Sequence, residues 1–131
     1  MHRKILLVDD HQVARASVRR LLDSYPIFIC GEASDGKEAI EKVIELRPDI
    51  VLIDISMPVM DGVTAAREIR LISPDTKIVF LTSHDAPAFR DATRMLSDAF
   101  VCKLQANSEL IPALESLWAI TDPRRVSPSK A

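Results

Sequence analysis

Five short apolar runs recur along the chain, and between them the apolar positions change to a helical spacing. Lys4-Ile-Leu-Leu-Val8, Ile27-Phe-Ile-Cys30, Ile50-Val-Leu-Ile-Asp54, Lys77-Ile-Val-Phe-Leu81 and Ala99-Phe-Val-Cys-Lys103 have strand length and strand composition. In the first connecting segment Val13, Ala14, Val18, Leu21 and Leu22 form a stripe, with Arg15, Arg19 and Arg20 mostly off it. Ala39, Ile40, Val43, Ile44 and Leu46 form the second stripe, which stops before Pro48. The spacing predicts helices over 13–22, 37–47, 63–72, 86–96 and 109–120, the fourth with the thinnest apolar face, and a loop over 31–36. At Thr121 the pattern ends. Residues 121–131 are polar, carry Pro123 and Pro128, and read as a disordered tail or the stub of a linker.

Runs that are apolar on both faces suit parallel strands covered by helices on each side. Strict alternation of strand and helix implies right-handed crossovers. The expected fold is therefore α/β: a flavodoxin-like, doubly wound (βα)5 unit over residues 1–120, with a five-stranded parallel sheet in the order 2-1-3-4-5.

Composition narrows this further. The chain has 131 residues, 47% of them hydrophobic, enough for one core without a disulfide or structural metal. A net charge of −2 argues against direct nucleic-acid binding. No apolar run approaches the roughly 18 residues of a membrane span. The first apolar stretch runs straight into Asp9-Asp10, unlike a signal peptide, so a cytoplasmic location away from membranes is expected. Cys30 and Cys102 lack any CxxC partner and read as buried thiols in a reducing compartment. The three glycines, Gly31, Gly36 and Gly62, cannot be written into GxGxxG or GxxxxGK[ST], which removes dinucleotide and P-loop chemistry.

In an open parallel sheet the ligand crevice lies beyond the carboxyl ends of the strands. Asp9, Asp10, Asp54, Thr82 and Lys103 all fall there. Any one of them could be ordinary loop polarity; three acids, a hydroxyl and an ammonium at corresponding places are harder to dismiss. Neighbouring carboxylates repel, so either one keeps a proton or a cation is bound, and oxygen ligands suit a hard divalent ion. Mg2+ (or Mn2+) fits better than zinc, because no His or Cys accompanies the acids in ligand spacing. His11 beside the pair reads first as a plain loop residue and second as an extra ligand. With a cation, a hydroxyl and a lysine around it, an Asp can act as nucleophile in phosphoryl transfer.

At these residues the sequence resembles the receiver domain of bacterial two-component response regulators, from about Arg3 to Ile120. The resemblance rests on Asp9-Asp10, Asp54, the loop Met57-Pro-Val-Met-Asp-Gly62, Thr82-Ser83 and Phe100 three residues before Lys103. The run Asp9-Asp-His-Gln-Val-Ala-Arg15 is similar to the NarL/LuxR-type subgroup, whose members usually carry a C-terminal helix-turn-helix. The resemblance implies that Asp54 accepts a phosphoryl group from a sensor histidine kinase or a phosphotransfer protein. It implies Asp10, Asp54 and the Ser56 backbone carbonyl as metal ligands, with Asp9 acting through water. Thr82 and Lys103 would bind the phosphoryl group. Thr82 and Phe100 would form the switch, Phe100 reading equally well as an ordinary core aromatic. Ser56 and His84 would tune the phosphoryl lifetime. A homodimer and transcription regulation through a following domain are further implications, and no turnover of an external substrate is expected.

Three features depart from the family pattern, all on the face that runs from the fourth helix to the fifth. Met95-Leu-Ser-Asp-Ala-Phe100 lacks the usual Gly before the aromatic, and with it the easy left-handed helix stop. Leu104 follows Lys103 where Pro is frequent, so no cis peptide is expected there. Pro112 falls early in the last helix, tolerable only in a first turn. Two alternatives compete: a pseudo-receiver acting as a constitutive interaction module, and a phosphatase of the haloacid-dehalogenase kind. The second needs an acid two residues after its nucleophile, and neither Asp9-Asp10-His11 nor Asp54-Ile55-Ser56 supplies one.

Overall fold

The computed structural model describes residues 3–83, 90, 91 and 93–121. Five strands, β1 (Arg3–Val8), β2 (Ile27–Ala33), β3 (Ile50–Ile53), β4 (Lys77–Thr82) and β5 (Ala99–Cys102), pair in parallel in the order β2-β1-β3-β4-β5. The helices are α1 (Gln12–Leu22), α2 (Gly36–Leu46), α3 (Gly62–Ile72) and α4 (Ala106–Thr121). The expected sheet and its strand order are both present. The helix expected over 86–96 lies mostly outside the described residues; 90, 91 and 93 are helical and 94–96 form a turn. His84 and residues 122–131 also lie outside them.

Alternation along the strands sorts the core into two layers. Ile5 and Leu7 of β1, Leu52 of β3 and Leu81 of β4 face Leu22 of α1 and Leu110, Leu114 and Trp118 of α4. Their neighbours Leu6, Val8, Val51, Ile53 and Phe80 face Ala39 and Val43 of α2 and Ala65, Ala66 and Ile69 of α3. Each strand residue of this kind is buried, which explains runs with no polar face.

Caps set the helix starts. Asp35 accepts from Glu38 N–H at 2.8 Å while Glu38 Oε1 accepts from Ser34 N–H, a reciprocal box at the start of α2. Asp61 accepts from Thr64 N–H at 2.8 Å at the start of α3.

Two local expectations are corrected. The second strand does not stop at Cys30: it runs to Ala33, because one extra residue is absorbed as a bulge. Ile5 pairs with Ile29 and Leu6 with Gly31, so Cys30 is the residue skipped, and its thiol donates to Ile5 carbonyl at 3.5 Å. Cys30 is accordingly half-buried rather than buried, while Cys102 is buried. Burial pushes the Cys30 thiol above its ordinary pKa, against the lowering effect of nearby Lys4. Second, the last helix begins at Ala106, after a 3-10 turn over Lys103–Gln105, so Pro112 is inside it and not in its first turn. Pro112 and Ser108, whose carbonyl loses its helical donor, are both exposed, so water can satisfy that group.

The segment without a glycine before Phe100 lacks the left-handed stop, in keeping with the expectation, and is arranged differently. No described residue between Met95 and Phe100 has positive φ. The turn instead closes on Thr93 carbonyl, which accepts Leu96 N–H, Ser97 N–H and the Ser97 hydroxyl at 2.9, 3.0 and 3.1 Å. Asp98 then leads into β5. Its N–H donates to Ile78 carbonyl at 2.7 Å, and its Oδ2 accepts Ile78 N–H at 2.8 Å and an Arg70 guanidinium N–H. Arg70 also donates to Leu96 carbonyl at 3.1 Å, tying α3 to the turn. Asp98→Ala removes the acceptor of a buried N–H and is expected to cost about 1–3 kcal/mol, seen as a lower urea midpoint. Arg70→Ala should cost a similar amount and the double variant less than the sum. An unchanged midpoint in Asp98→Ala would show that the clamp carries no weight.

Candidate functional site

Sheet register brings four strand ends to one edge. Val8 pairs with Ile53, so Asp9 and Asp54 emerge side by side from adjacent strands, with Asp9 N–H on Ala33 carbonyl and Asp54 N–H on Val8 carbonyl, both at 3.0 Å. Ile53 pairs with Phe80, and Thr82 lies two residues further along β4. Thr82 pairs with Cys102, and Lys103 is the next residue. Asp54 is 4% exposed and Thr82 fully buried.

Lys103 Nζ reaches both acids, standing 2.5 Å from Asp9 Oδ2 and 3.1 Å from Asp54 Oδ2. Burial alone would lower the pKa of this ammonium, but the hydrogen bond to Asp9 and the charge of Asp54 outweigh it and hold the value above the ordinary one. The charge is present throughout the neutral range, and the ion pair's contribution is lost only as pH rises through that raised value. Asp54 Oδ1 accepts Ile55 N–H at 2.7 Å, and Asp9 Oδ1 accepts His11 N–H at 2.9 Å.

Asp10 is different. Its Oδ1 is buried and accepts no hydrogen bond, and His11 Nδ1 is 3.1 Å away without hydrogen-bond geometry. An orphaned carboxylate oxygen beside two further carboxylates is what a hard divalent cation would satisfy. Oxygen or nitrogen donors of Asp9, Asp10, His11 and Asp54 all lie within 4.8 Å of one another. The residues present therefore fit the expected cation.

Two supports were not among the predicted site residues, although Gly62 closes the loop on which the family resemblance rests. Arg15 reads as a solvated helix residue, yet its guanidinium donates to Asp9 carbonyl and, at 2.7 Å, to Glu32 Oε1. Arg19 donates to the other oxygen of Glu32 at 2.7 Å. Burial alone would raise the Glu32 pKa; the bonds from Arg19 and Arg15 hold it lower. Glu32 falls in the segment expected as loop, so the pairing became visible only once β2 extended past the bulge. The other support is Gly62, whose N–H donates to Ile55 carbonyl at 2.8 Å, and whose missing side chain lets α3 start against the Asp54 backbone. In the same loop Val59 has φ 66, a strained value for a β-branched residue, and is 80% exposed.

Phe100 is half-buried, tilted against the fully buried Phe80 at 6.3 Å between ring centroids, with the Arg90 guanidinium 4.6 Å over its ring. It sits at the border of the core and not inside it. Ser56 is exposed.

Residues 5–115 match the profile of the response regulator receiver domain. The chain belongs to that family. The receiver is 36% identical over 118 residues to the response regulator protein VraR of Staphylococcus saprophyticus, covering 88% of this chain and 56% of that protein. It is 38% identical over 117 residues to a protein-glutamate methylesterase/protein-glutamine glutaminase of Methanosarcina acetivorans, covering 87% of this chain and 34% of that protein. Among solved structures, the receiver superimposes on a LuxR-family two-component response regulator from Aurantimonas sp. with a TM-score of 0.85 at 31% identity, covering 98% of this chain and 92% of that one. The chain thus spans about half or less of the two curated relatives. It is the receiver of a two-component response regulator of LuxR-type affinity, and no described helix is long and apolar enough to cross a membrane.

Proposed function

We propose that this receiver is switched by transfer of a phosphoryl group to Asp54. The observation that carries the reading is the setting of that carboxylate: buried, one oxygen held by Ile55 N–H, the other by Lys103, beside the orphaned oxygen of Asp10. Asp54 attacks phosphorus, the bond from phosphorus to the donor's histidine nitrogen breaks, and that nitrogen leaves as the neutral imidazole after taking up a proton. Asp10, Asp54 and the Ser56 carbonyl would hold Mg2+, with Asp9 acting through water; when bound, the ion offsets charge on the phosphoryl oxygens. Lys103 supplies a second fixed positive charge. Thr82, fully buried at the end of β4, is the hydroxyl in place to meet the attached group, and Phe100 is the neighbour whose packing would change with it. Ser56 and His84 would govern water access and so the lifetime of the acyl phosphate.

The donor is a sensor histidine kinase or phosphotransfer protein. The output is transcription regulation where a DNA-binding domain follows, with a second copy of the chain as candidate partner and no nucleic acid bound by residues 1–120 themselves. Residues 121–131 serve as a tail or linker in this reading, and the setting is cytoplasmic. Turnover of an external substrate is not part of the proposal: the methylesterase relative extends far beyond the matched region. A constitutive module is disfavoured by the complete acid set.

Phosphoramidate with Mg2+ is expected to add the mass of one phosphoryl group per chain, and EDTA to prevent it. Fluoroberyllate should shift amide resonances around Thr82 and Phe100 under the same conditions. A chain that gains no mass and shows no shift would sink the reading.

A further inference from the structure

One side chain at the cation site has no part in the phosphoryl chemistry. His11 is the N-cap of α1, but its side chain makes no capping bond. Its backbone N–H is bound to Asp9 Oδ1, which turns the imidazole back over the acidic pair. Nδ1 stands 3.3 Å from Asp9 Oδ1 and 3.1 Å from Asp10 Oδ1, the buried oxygen that accepts no hydrogen bond. Metal–ligand bonds of about 2.1 Å put adjacent donors about 3 Å apart around an octahedral ion. The separation from Asp10 Oδ1, the direct ligand of the two, has that length, and His11 belongs to the group whose donors all lie within 4.8 Å. The side chain is 69% exposed, so no core packing accounts for its position.

Three carboxylates make a hard site. An imidazole nitrogen adds little for Mg2+, which favours oxygen, and more for the divalent transition ions, which accept nitrogen readily. We infer that His11 supplies a nitrogen donor to this site and shifts its preference from magnesium toward transition ions such as Co2+ and Mn2+. The inference rests on the divalent site formed by Asp9, Asp10 and Asp54. The structure also gives Nδ1 hydrogen-bond geometry with Asp9 Oδ1 at 3.3 Å, and in the rival role of that geometry the imidazole donates its proton to Asp9 in place of a cation. That geometry predicts the opposite sign, since removing the ring would then strengthen cation binding.

The test is calorimetric titration of the untagged full chain with Mg2+ and with Co2+, no phosphoryl donor being present, for the parent, His11→Ala and His11→Asn. The expected result is a Co2+ dissociation constant raised about tenfold or more in both variants, with that of Mg2+ changed less than about twofold. The visible absorption of bound Co2+ should change with it, a readout independent of any activity. Retained Mg2+ binding confirms that the variants are folded. Co2+ affinity that is unchanged, increased, or falling in step with that of Mg2+ overturns the role of His11 and leaves the divalent site standing. Failure of both ions to bind the parent overturns the divalent site, and this inference with it.

Discussion

Asp54→Asn is expected to reduce phosphoryl incorporation from phosphoramidate to background while leaving the fold intact. The amide cannot act as the nucleophile, and the adjacent Asp9 carboxylate cannot take its place without moving. Asp9 is held at both ends, its N–H on Ala33 carbonyl and its Oδ2 on Lys103. The same substitution removes one of three neighbouring negative charges. Lys103 retains its partner Asp9, and Ile55 N–H retains an oxygen acceptor, so little stabilisation is lost while repulsion falls. The thermal midpoint of Asp54→Asn should therefore equal or exceed that of the parent. Intact-mass measurement and a melting curve on the same sample check both halves. Continued incorporation would place the acceptor elsewhere, and a large fall in midpoint would mean that the site is held together by the Asp54–Lys103 pair more than by the sheet.

Gly62→Ala is expected to be the most damaging of the small substitutions. A Cβ at this position would lie 1.9 Å from Asp54 carbonyl oxygen, 2.8 Å from its carbon and 3.0 Å from Ile55 Cα. All three are backbone atoms of the β3 end, so no rotamer change relieves the clash. Either α3 withdraws, losing the bond from Gly62 N–H to Ile55 carbonyl and the packing of Ala65, Ala66 and Ile69, or the Asp54 backbone moves and takes the carboxylate from Lys103. The cost should exceed about 3 kcal/mol by urea unfolding. Any folded fraction should incorporate phosphoryl poorly. Gly31→Ala is the matched control: its nearest contact is the tip of the Leu46 side chain at 2.8 Å, which can turn aside. A cost of about 1 kcal/mol is expected there. Equal midpoints for the two variants would mean that the loop at Gly62 yields easily.

Much of this site is legible in the linear order of residues. Asp9, Asp54, Thr82 and Lys103 each end or follow an apolar run, and parallel strands with one crossover sense must deliver such residues to the same edge. What the linear pattern does not carry is anything that depends on two segments meeting. Arg15 and Glu32 are ordinary surface residues when read singly. Asp98 reads as part of a segment weakened by a missing glycine, yet with Arg70 it holds that segment in place. Cys30 reads as the end of a strand because a bulge leaves no periodic mark of its own. His11 reads as loop because its relation to Asp10 is set by a backbone bond to Asp9, not by spacing.

The amino-acid sequence by itself determined the alternation of strands and helices, the parallel sheet and the chemical identity of the groups at its edge. It could do so because hydrophobic period and strand-end position are local properties of the chain. Tertiary structure alone decided which oxygens Lys103 holds, which one at Asp10 is left without a donor, how near α3 comes to Asp54, and where His11 points. The first and third are distances between residues on different elements, set by sheet register and helix packing. The Asp10 and His11 geometry is set within the loop after β1 by the bond of His11 N–H to Asp9 Oδ1, a conformation that residue spacing does not encode.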